Sequence, residues 1–267
     1  MNAERTAVVT GASSGIGAAT ATALADLGFD IVAGARRLDR VEALTQRIGG
    51  RALGLDVTNA DSIERFAAAV AESAPAVDVL INNAGLALGA DRIERIDDDD
   101  LRVMWETNVL GLLRVTRAML PLLRRAPRAH IVNVGSIAGT EVYPGGAGYT
   151  STKHAVRAIT RVLRLELNGE PIRITEIAPG IVDTEFATVR TKGDAEAASA
   201  ISHGIDPLQA RDIADVIAFA VSRPPHVDID LVEIRPIAQA TPYMIARREE
   251  TMPQLEHLAT DGAPRPS

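Results

Sequence analysis

A chain of 267 residues that is 46% hydrophobic is long enough to bury one large core. It contains no cysteine, which excludes disulfides, thiolate metal sites and a cysteine nucleophile. Its formal net charge of −7 argues against nucleic acid or an anionic membrane as the main partner. The five scattered histidines lack metal-ligand spacing, and the chain shows neither a signal peptide nor a membrane-length apolar run. We therefore expect a cytoplasmic protein that binds no metal.

The first chemical signal is a glycine-rich turn between a predicted strand at residues 6–9 and a predicted helix at residues 18–27. Glycines let the backbone approach a pyrophosphate, serine hydroxyls donate hydrogen bonds, and a helix N-terminus attracts negative charge. The spacing is GxxxGxG, and a turn used only for tight packing is the alternative. The residues predicted to bind a dinucleotide here are Gly11, Ser13, Ser14, Gly15, Ile16 and Gly17.

Two arginines follow the second predicted strand, at residues 30–35, and begin a helix that runs to about residue 48. Arg37 stands 20 positions after Gly17, where an acidic residue would bind the ribose 2′-hydroxyl of NAD and an arginine the 2′-phosphate of NADP. Cations at a helix N-terminus oppose the helix macrodipole, so Arg36 and Arg37 indicate an anion between them. We expect NADP; ordinary surface charge is the alternative.

Further strands are predicted at residues 51–55, 77–81, 130–134, 172–177 and 230–234, and helices at residues 60–73, 97–123 and 149–167. This alternation predicts a single α/β domain, a doubly wound Rossmann-type parallel sheet of about seven strands with helices on both faces. Small or polar clusters follow the strands, and ligands bind at that edge of such sheets.

Tyr149 and Lys153 are four residues apart on a predicted helix, so they share one face. A nearby cation favours the phenolate form of a tyrosine and brings its pKa toward neutrality. Ser136 ends the fifth strand and can hydrogen-bond a substrate carbonyl, while Asn108 could fix a water beside the lysine. Taken alone, the Tyr–Lys spacing is also common on solvated helices.

Together, these motifs resemble the short-chain dehydrogenase/reductase family over nearly the whole chain. The residues that carry the resemblance are Thr10, Gly11, Gly15, Ile16, Gly17, Asp56, Asn82, Asn83, Ala84, Gly85, Asn108, Ser136, Tyr149, Lys153, Pro179 and Gly180.

The resemblance implies a role for each catalytic residue. Tyr149 would be the general acid/base, and Lys153 would bind the nicotinamide ribose and lower the pKa of Tyr149. Ser136 would orient the substrate carbonyl, and Asn108 would hold a proton-relay water.

It also implies further cofactor contacts. Asp56 and Val57 would flank the adenine, and Thr184 would bind the nicotinamide carboxamide. The other residues implied to line the cofactor are Asn83, Ala84, Gly85, Pro179 and Gly180.

Residues 82–89 and 184–194 resemble the NADP-dependent 3-hydroxy acid (serine-type) dehydrogenases of this family. Arg190 and Lys192 lie where the family has a mobile lid, here residues 184–207, and are the candidates to bind a substrate carboxylate. Solvated loop charges are the alternative. Arg235 is another candidate, or a brace at a subunit interface.

The predicted function is hydride transfer between NADP(H) and a small alcohol/carbonyl substrate, with 3-hydroxy acids and semialdehydes as the candidates. The alternatives are a broad-specificity carbonyl or ketone reductase and a non-catalytic regulator that senses NADP(H). We assign residues 1–240 to the catalytic domain and 241–267 to an extension, with a helix at 243–250 that covers a neighbouring site or interface and disorder at 261–267. The resemblance further implies a homo-oligomer, a tetramer or dimer, formed through helices 97–123 and 149–167.

Overall fold

A single seven-stranded parallel sheet forms the centre of the computed structural model, which describes residues 5–248. Its strand order is β3-β2-β1-β4-β5-β6-β9, and two short strands, β7 and β8, pair separately. The strands are β1 (Arg5–Thr10), β2 (Phe29–Ala35), β3 (Arg51–Gly54), β4 (Val79–Asn82), β5 (Ala129–Val134), β6 (Ile172–Pro179), β7 (Val182–Asp183), β8 (Leu208–Gln209) and β9 (Leu231–Ile234). The predicted doubly wound sheet is confirmed.

Helices connect the strands and cover both faces of the sheet. They are α1 (Gly15–Asp26), α2 (Leu38–Ile48), α3 (Ala60–Ser73), α4 (Asp98–Trp105), α5 (Leu112–Leu123), α6 (Ala147–Glu166), α7 (Phe186–Arg190), α8 (Ala195–Ser202) and α9 (Ala210–Val221). Within residues 5–248, none of the helices is long and apolar enough to span a membrane.

The core lies in two layers, one on each face of the sheet. Along β1, Val8 packs with Phe66 of α3 in the layer formed by α3, α5 and α6. Ala7 and Val9 point the other way and pack with Leu24 of α1 in the layer formed by α1, α2 and α9. This alternation follows from the two-residue period of a strand, and burial on both faces accounts for the nearly continuous apolar strands.

The strand order reverses between β1 and β4, which is where doubly wound sheets open a crevice at their carboxyl ends. The loop after β1 carries the glycine turn, and the loop after β4 carries Asn83. Thr10 holds the two loops together, because its hydroxyl accepts hydrogen bonds from the backbone N–H groups of Asn83 (3.0 Å) and Ala84 (3.1 Å).

The helix predicted at residues 97–123 is not a uniform α-helix. A π-helical segment, Glu106–Gly111, separates α4 from α5. The wider turn brings Asn108 to hydrogen-bond partners on the neighbouring loop and helix. At Gly111, an added Cβ would lie 2.9 Å from Cγ2 of Val57, so the helix packs closely on the loop after β3. Apolar periodicity cannot reveal one inserted residue in a helical turn.

The helix predicted at residues 243–250 is wrong for the part that the structure describes. Residues 243–248 are irregular, with an isolated antiparallel bridge between Gln239 and Ile245. Their backbone is held by partners elsewhere in the chain, as Ala246 N–H donates to the Ala238 carbonyl (2.8 Å) and Arg248 N–H to the Gly204 carbonyl (3.0 Å). Residues 249–267, including the predicted disorder at 261–267, lie outside the described residues.

Candidate active site

A cavity of about 480 Å³ opens at the carboxyl edge of the sheet. Its walls come from the loops after β1, β2, β3, β4, β5 and β6, so strands far apart in the chain contribute to one site. The predicted site residues that line it are Gly11, Ser13, Ser14, Gly15, Ile16, Arg36, Arg37, Asp56, Val57, Asn83, Ala84, Gly85, Ser136, Tyr149, Lys153, Pro179, Gly180 and Thr184.

The glycine turn is built for close approach of a ligand. Gly11 has a φ of +67° and Gly15 a φ of +53°, conformations in which an L side chain is strained. Ser14 caps α1 without a side-chain hydrogen bond to the helix, so the first backbone N–H groups are available to an anion. Gly17 differs from its prediction: it does not line the cavity. A Cβ there would lie 2.4 Å from the Gly11 carbonyl oxygen, so Gly17 permits packing behind the turn.

Arg37 lies across the outer end of the cavity. Its guanidinium donates to the hydroxyl of Ser13 (3.0 Å from Nη2) and to that of Ser14 (2.8 Å). Asp56, on the adjoining wall, accepts hydrogen bonds from the backbone N–H (3.0 Å) and the hydroxyl (2.7 Å) of Thr58. Although burial raises the pKa of Asp56, these hydrogen bonds lower it below its ordinary value. Guanidinium, hydroxyl and backbone donors beside a glycine turn fit a dinucleotide that carries a 2′-phosphate.

Lys153 is buried in the floor of the cavity, with 7% of its surface exposed. Its Nζ donates to the Val134 carbonyl (2.9 Å) and lies 5.8 Å from the centroid of the Tyr149 ring. Burial lowers the pKa of Lys153 to about 8, and the negative charge of Glu176 opposes that change. The helix α6 therefore brings the two predicted residues to one place, as their spacing indicates.

Burial also governs Tyr149. It raises the pKa of the Tyr149 phenol, while a hydrogen bond with Ser136 and the positive charge of Arg190 favour the phenolate form. The lowering of the Tyr149 pKa by Lys153 that the family resemblance implies stays a prediction. Ser136 is positioned at the end of β5, where its hydroxyl accepts from the Ala138 N–H (3.1 Å) and donates to the Pro179 carbonyl (3.4 Å).

The side-chain amide of Asn108 is hydrogen-bonded within the protein. The amide nitrogen donates to the Leu86 carbonyl (2.8 Å) and to the Thr152 hydroxyl (3.0 Å), and the amide oxygen accepts from the Leu86 N–H (2.9 Å). Both amide hydrogens are thus committed to the protein. This arrangement joins the loop after β4 to α6, and the proton-relay water that the resemblance assigns to Asn108 stays a prediction.

The two lid cations have different surroundings. Lys192 forms an ion pair with Asp100 (2.7 Å), so its predicted contact with substrate is corrected to a contact between the lid and α4. The guanidinium carbon of Arg190 lies 5.4 Å from the centroid of the Tyr143 ring and 6.0 Å from that of Tyr149. Among the described residues, its hydrogen bonding is limited to Nε, which donates to the Gly89 carbonyl (3.3 Å).

Arg235 lies in an ion-paired cluster. It contacts Glu233 (2.9 Å) and Glu141 (2.5 Å), so its guanidinium is already neutralised by carboxylates. Of the cations considered for a substrate carboxylate, Arg190 is the one whose position fits.

Sequence reasoning missed Glu185, Phe186 and Tyr143. Glu185 lines the cavity and forms ion pairs with Arg37 (2.7 Å) and Arg40 (2.6 Å). Phe186 packs edge-on against Tyr149, with ring centroids 5.5 Å apart. The sequence predicted an anion between Arg36 and Arg37, whereas the structure places the carboxylate of Glu185 between Arg37 and Arg40.

The sequence matches the short chain dehydrogenase family model over residues 5–195. It is 53% identical to an uncharacterised oxidoreductase of Mycobacterium tuberculosis, over 94% of this chain and 96% of that protein. It is 42% identical to a sulfoacetaldehyde reductase of Chromohalobacter salexigens, over 87% of this chain and 94% of the relative.

Among solved structures, the closed form of a serine dehydrogenase complexed with NADP⁺ superposes with a TM-score of 0.85 at 35% identity. The likeness covers 88% of this chain and 96% of that one. The chain belongs to the short-chain dehydrogenase family and is an oxidoreductase. The family and the serine-dehydrogenase-like branch inferred from the motifs are confirmed.

Proposed function

We propose that this protein transfers a hydride between NADP(H) and a small alcohol/carbonyl substrate that carries an anionic group, such as a 3-hydroxy acid or the corresponding semialdehyde. The observation that carries the proposal is the place of Arg190. Its guanidinium lies at the edge of the predicted reaction site, beside the rings of Tyr149 and Tyr143.

The cofactor assignment is supported by the outer end of the cavity. Arg37, with the Ser13 and Ser14 hydroxyls beside it, offers donors suited to a phosphate ester. The serine dehydrogenase with the similar fold is complexed with NADP⁺. When bound, the nicotinamide supplies or accepts the hydride.

The roles of the chain's own residues follow from their placement. Tyr149 would donate its phenolic proton to a carbonyl oxygen, or take the proton of the alcohol in the reverse direction. Ser136 would hydrogen-bond the same oxygen and hold it in place. Lys153, a buried cation beside the tyrosine ring, would stabilise the phenolate that remains after proton donation. Asn108 would keep the loop and α6 in register around this group.

The positive charge of Arg190, which is unpaired within residues 5–248, supports an anionic substrate. Arg190 has no carboxylate at ion-pair distance among the described residues, and its Nη atoms make no hydrogen bond with them. A part-buried guanidinium in that state favours an anionic ligand group, since charge-assisted hydrogen bonds are stronger than neutral ones. The similar sulfoacetaldehyde reductase and serine dehydrogenase bear the names of substrates with acidic groups.

Two other functions make different predictions. A broad-specificity carbonyl reductase would show no preference for acids, and a non-catalytic NADP(H) sensor would show no turnover. The convergence of Tyr149, Lys153 and Ser136 on the cavity favours catalysis over sensing. A homo-oligomer and a cytoplasmic location remain predictions from the sequence.

A substrate panel combined with Tyr149→Phe tests the proposal. Hydroxy acids, semialdehydes and neutral alcohols are assayed by NADPH absorbance, with NAD(H) as the control. We expect acids with NADP(H) to be preferred, and Tyr149→Phe to reduce kcat about 10²- to 10⁴-fold with NADPH binding close to that of the wild type. Equal use of neutral alcohols, a preference for NAD(H), or undiminished turnover by Tyr149→Phe would each contradict one part of it.

A further inference from the structure

Glu185 lies between two arginines at the outer end of the nucleotide cavity. One carboxylate oxygen is 2.7 Å from Nη1 of Arg37, and the other is 2.6 Å from Nη1 of Arg40. Arg37 caps the start of α2 and Arg40 lies in its first turn, whereas Glu185 caps α7, at the beginning of the lid. One acidic side chain from the lid thus occupies both cations at this end of the cavity.

The same guanidinium that binds Glu185 also contacts the glycine turn. Arg37 donates to the Ser13 and Ser14 hydroxyls from its Nε and Nη2 atoms, while Nη1 is directed to Glu185. Two oxygens that bridge two guanidinium groups next to serine hydroxyls make the arrangement that a phosphate ester would adopt there. Glu185 therefore occupies the position of an anionic ligand.

We propose that Glu185 is an internal competitor for the 2′-phosphate of the nucleotide, so that the phosphate must displace the Glu185 carboxylate from Arg37 and Arg40 to bind. The inference rests on the proposed NADP dependence of the enzyme. It makes Glu185 a residue that sets cofactor affinity and selectivity, and it links phosphate binding to the N-cap of α7.

The charges at this site favour displacement of Glu185 by the phosphate over binding of both anions between the arginines. Two guanidinium groups and one carboxylate leave one net positive charge, whereas a 2′-phosphate brings up to two negative charges. The phosphate and Glu185 would therefore repel each other if both stayed between the arginines. The pKa of Glu185 is lowered to about 2 by its hydrogen bonds from Arg40 and Arg37, so the carboxylate remains charged at neutral pH.

The exposure of the ion pairs sets the size of the effect. The side chains of Arg37 and Glu185 are 43% and 46% exposed, so solvent weakens the attraction that the phosphate has to overcome. Displacement is then feasible, and the affinity gained by removing the Glu185 charge is moderate.

The test uses the adenosine half of the cofactor alone, so that catalytic residues play no part. Binding of adenosine 2′,5′-bisphosphate and of AMP is measured by titration calorimetry for the wild type, Glu185→Gln and Glu185→Ala. The control is Glu170→Gln, which also removes one arginine-paired, partly exposed carboxylate (Arg124, 2.8 Å) but lies just before β6, at the amino ends of the strands and away from the cavity.

We expect both Glu185 variants to bind the bisphosphate about 3- to 10-fold more tightly than the wild type, with AMP binding and the Glu170→Gln variant unchanged within about twofold. Unchanged or weaker bisphosphate binding by the Glu185 variants, in a protein that prefers the bisphosphate over AMP, would overturn the inference and leave the NADP proposal standing. If neither the wild type nor the variants prefer the bisphosphate, both proposals fail.

Discussion

The ammonium group of Lys192 lies 2.7 Å from the carboxylate of Asp100 and joins the lid to the first turn of α4. The carboxylate of Asp100 raises the pKa of Lys192, so the lysine keeps its charge over the whole neutral range. Two residues away, Arg190 faces the aromatic rings of the reaction site. The two cations of the lid thus have different surroundings: Lys192 is paired with a carboxylate, and Arg190, which we propose contacts the substrate, lies beside Tyr143 and Tyr149.

Replacement of Lys192 by Ala should therefore act on the lid, whatever the charge of the substrate. We expect KM to rise by the same factor, about two- to fivefold, for acidic and neutral substrates, because lid closure affects both. Asp100→Ala should reproduce the effect, and the double variant should add little, since both single changes remove one contact. A loss confined to acidic substrates would show that Lys192 binds the substrate.

The packing of Gly17 predicts a structural role behind the glycine turn. In Gly17→Ala, the new Cβ would lie 2.4 Å from the Gly11 carbonyl oxygen and 2.5 Å from Nδ2 of Asn83, so the turn must shift. We expect a loss of about 1 to 3 kcal/mol in the free energy of unfolding and weaker binding of NADPH and NADH alike. Gly54→Ala, which meets no atom within 4 Å, is the matched control and should change neither quantity.

The buried ring of His130 should make the free energy of unfolding depend on pH. Its ring is buried in β5, with Nε2 2.7 Å from the Thr175 hydroxyl. Burial, aided by the charge of Arg173, lowers the pKa of His130 from 6.5 to about 3. Between these values the unfolded chain binds a proton at this position that the folded chain does not. The contribution is complete above pH 6.5 and is lost as the pH falls from 6.5 toward 3.

Urea unfolding between pH 7 and pH 4.5 measures this contribution. Because one pKa unit corresponds to about 1.4 kcal/mol, the His130 contribution should approach a slope of about 1.4 kcal/mol per pH unit in the lower half of that range. The variant His130→Gln should lose this part of the slope, and the exposed control His154→Gln should retain it. Parallel curves for the wild type and His130→Gln would refute the assignment.

Much of the fold could be predicted from the sequence because the strands are continuous apolar runs. The small and polar residues that follow these strands meet at one edge of a parallel sheet. The spacing of Tyr149 and Lys153 on α6 predicted their proximity for the same geometric reason. The π-helical segment at Asn108 could not be predicted from the sequence, since one extra residue in a turn leaves the apolar pattern nearly unchanged. The partners of long charged side chains could not be predicted either. The ion pairs of Lys192 with Asp100 and of Glu185 with Arg37 join segments that are distant in the sequence.

The central claim is that Arg190 recognises the anionic group of the substrate. Arg190→Ala tests it most directly, with Lys192→Ala as the control that also removes one positive charge from the lid. The measurement is kcat/KM with NADPH for an acidic substrate and for its neutral analogue, such as the amide.

We expect Arg190→Ala to lower kcat/KM for the acid about 10- to 100-fold, since a charge-assisted hydrogen bond is lost. The neutral analogue should change by less than about threefold, and Lys192→Ala should not alter the ratio between the two. An equal loss of kcat/KM for the acid and its neutral analogue in Arg190→Ala would contradict the account.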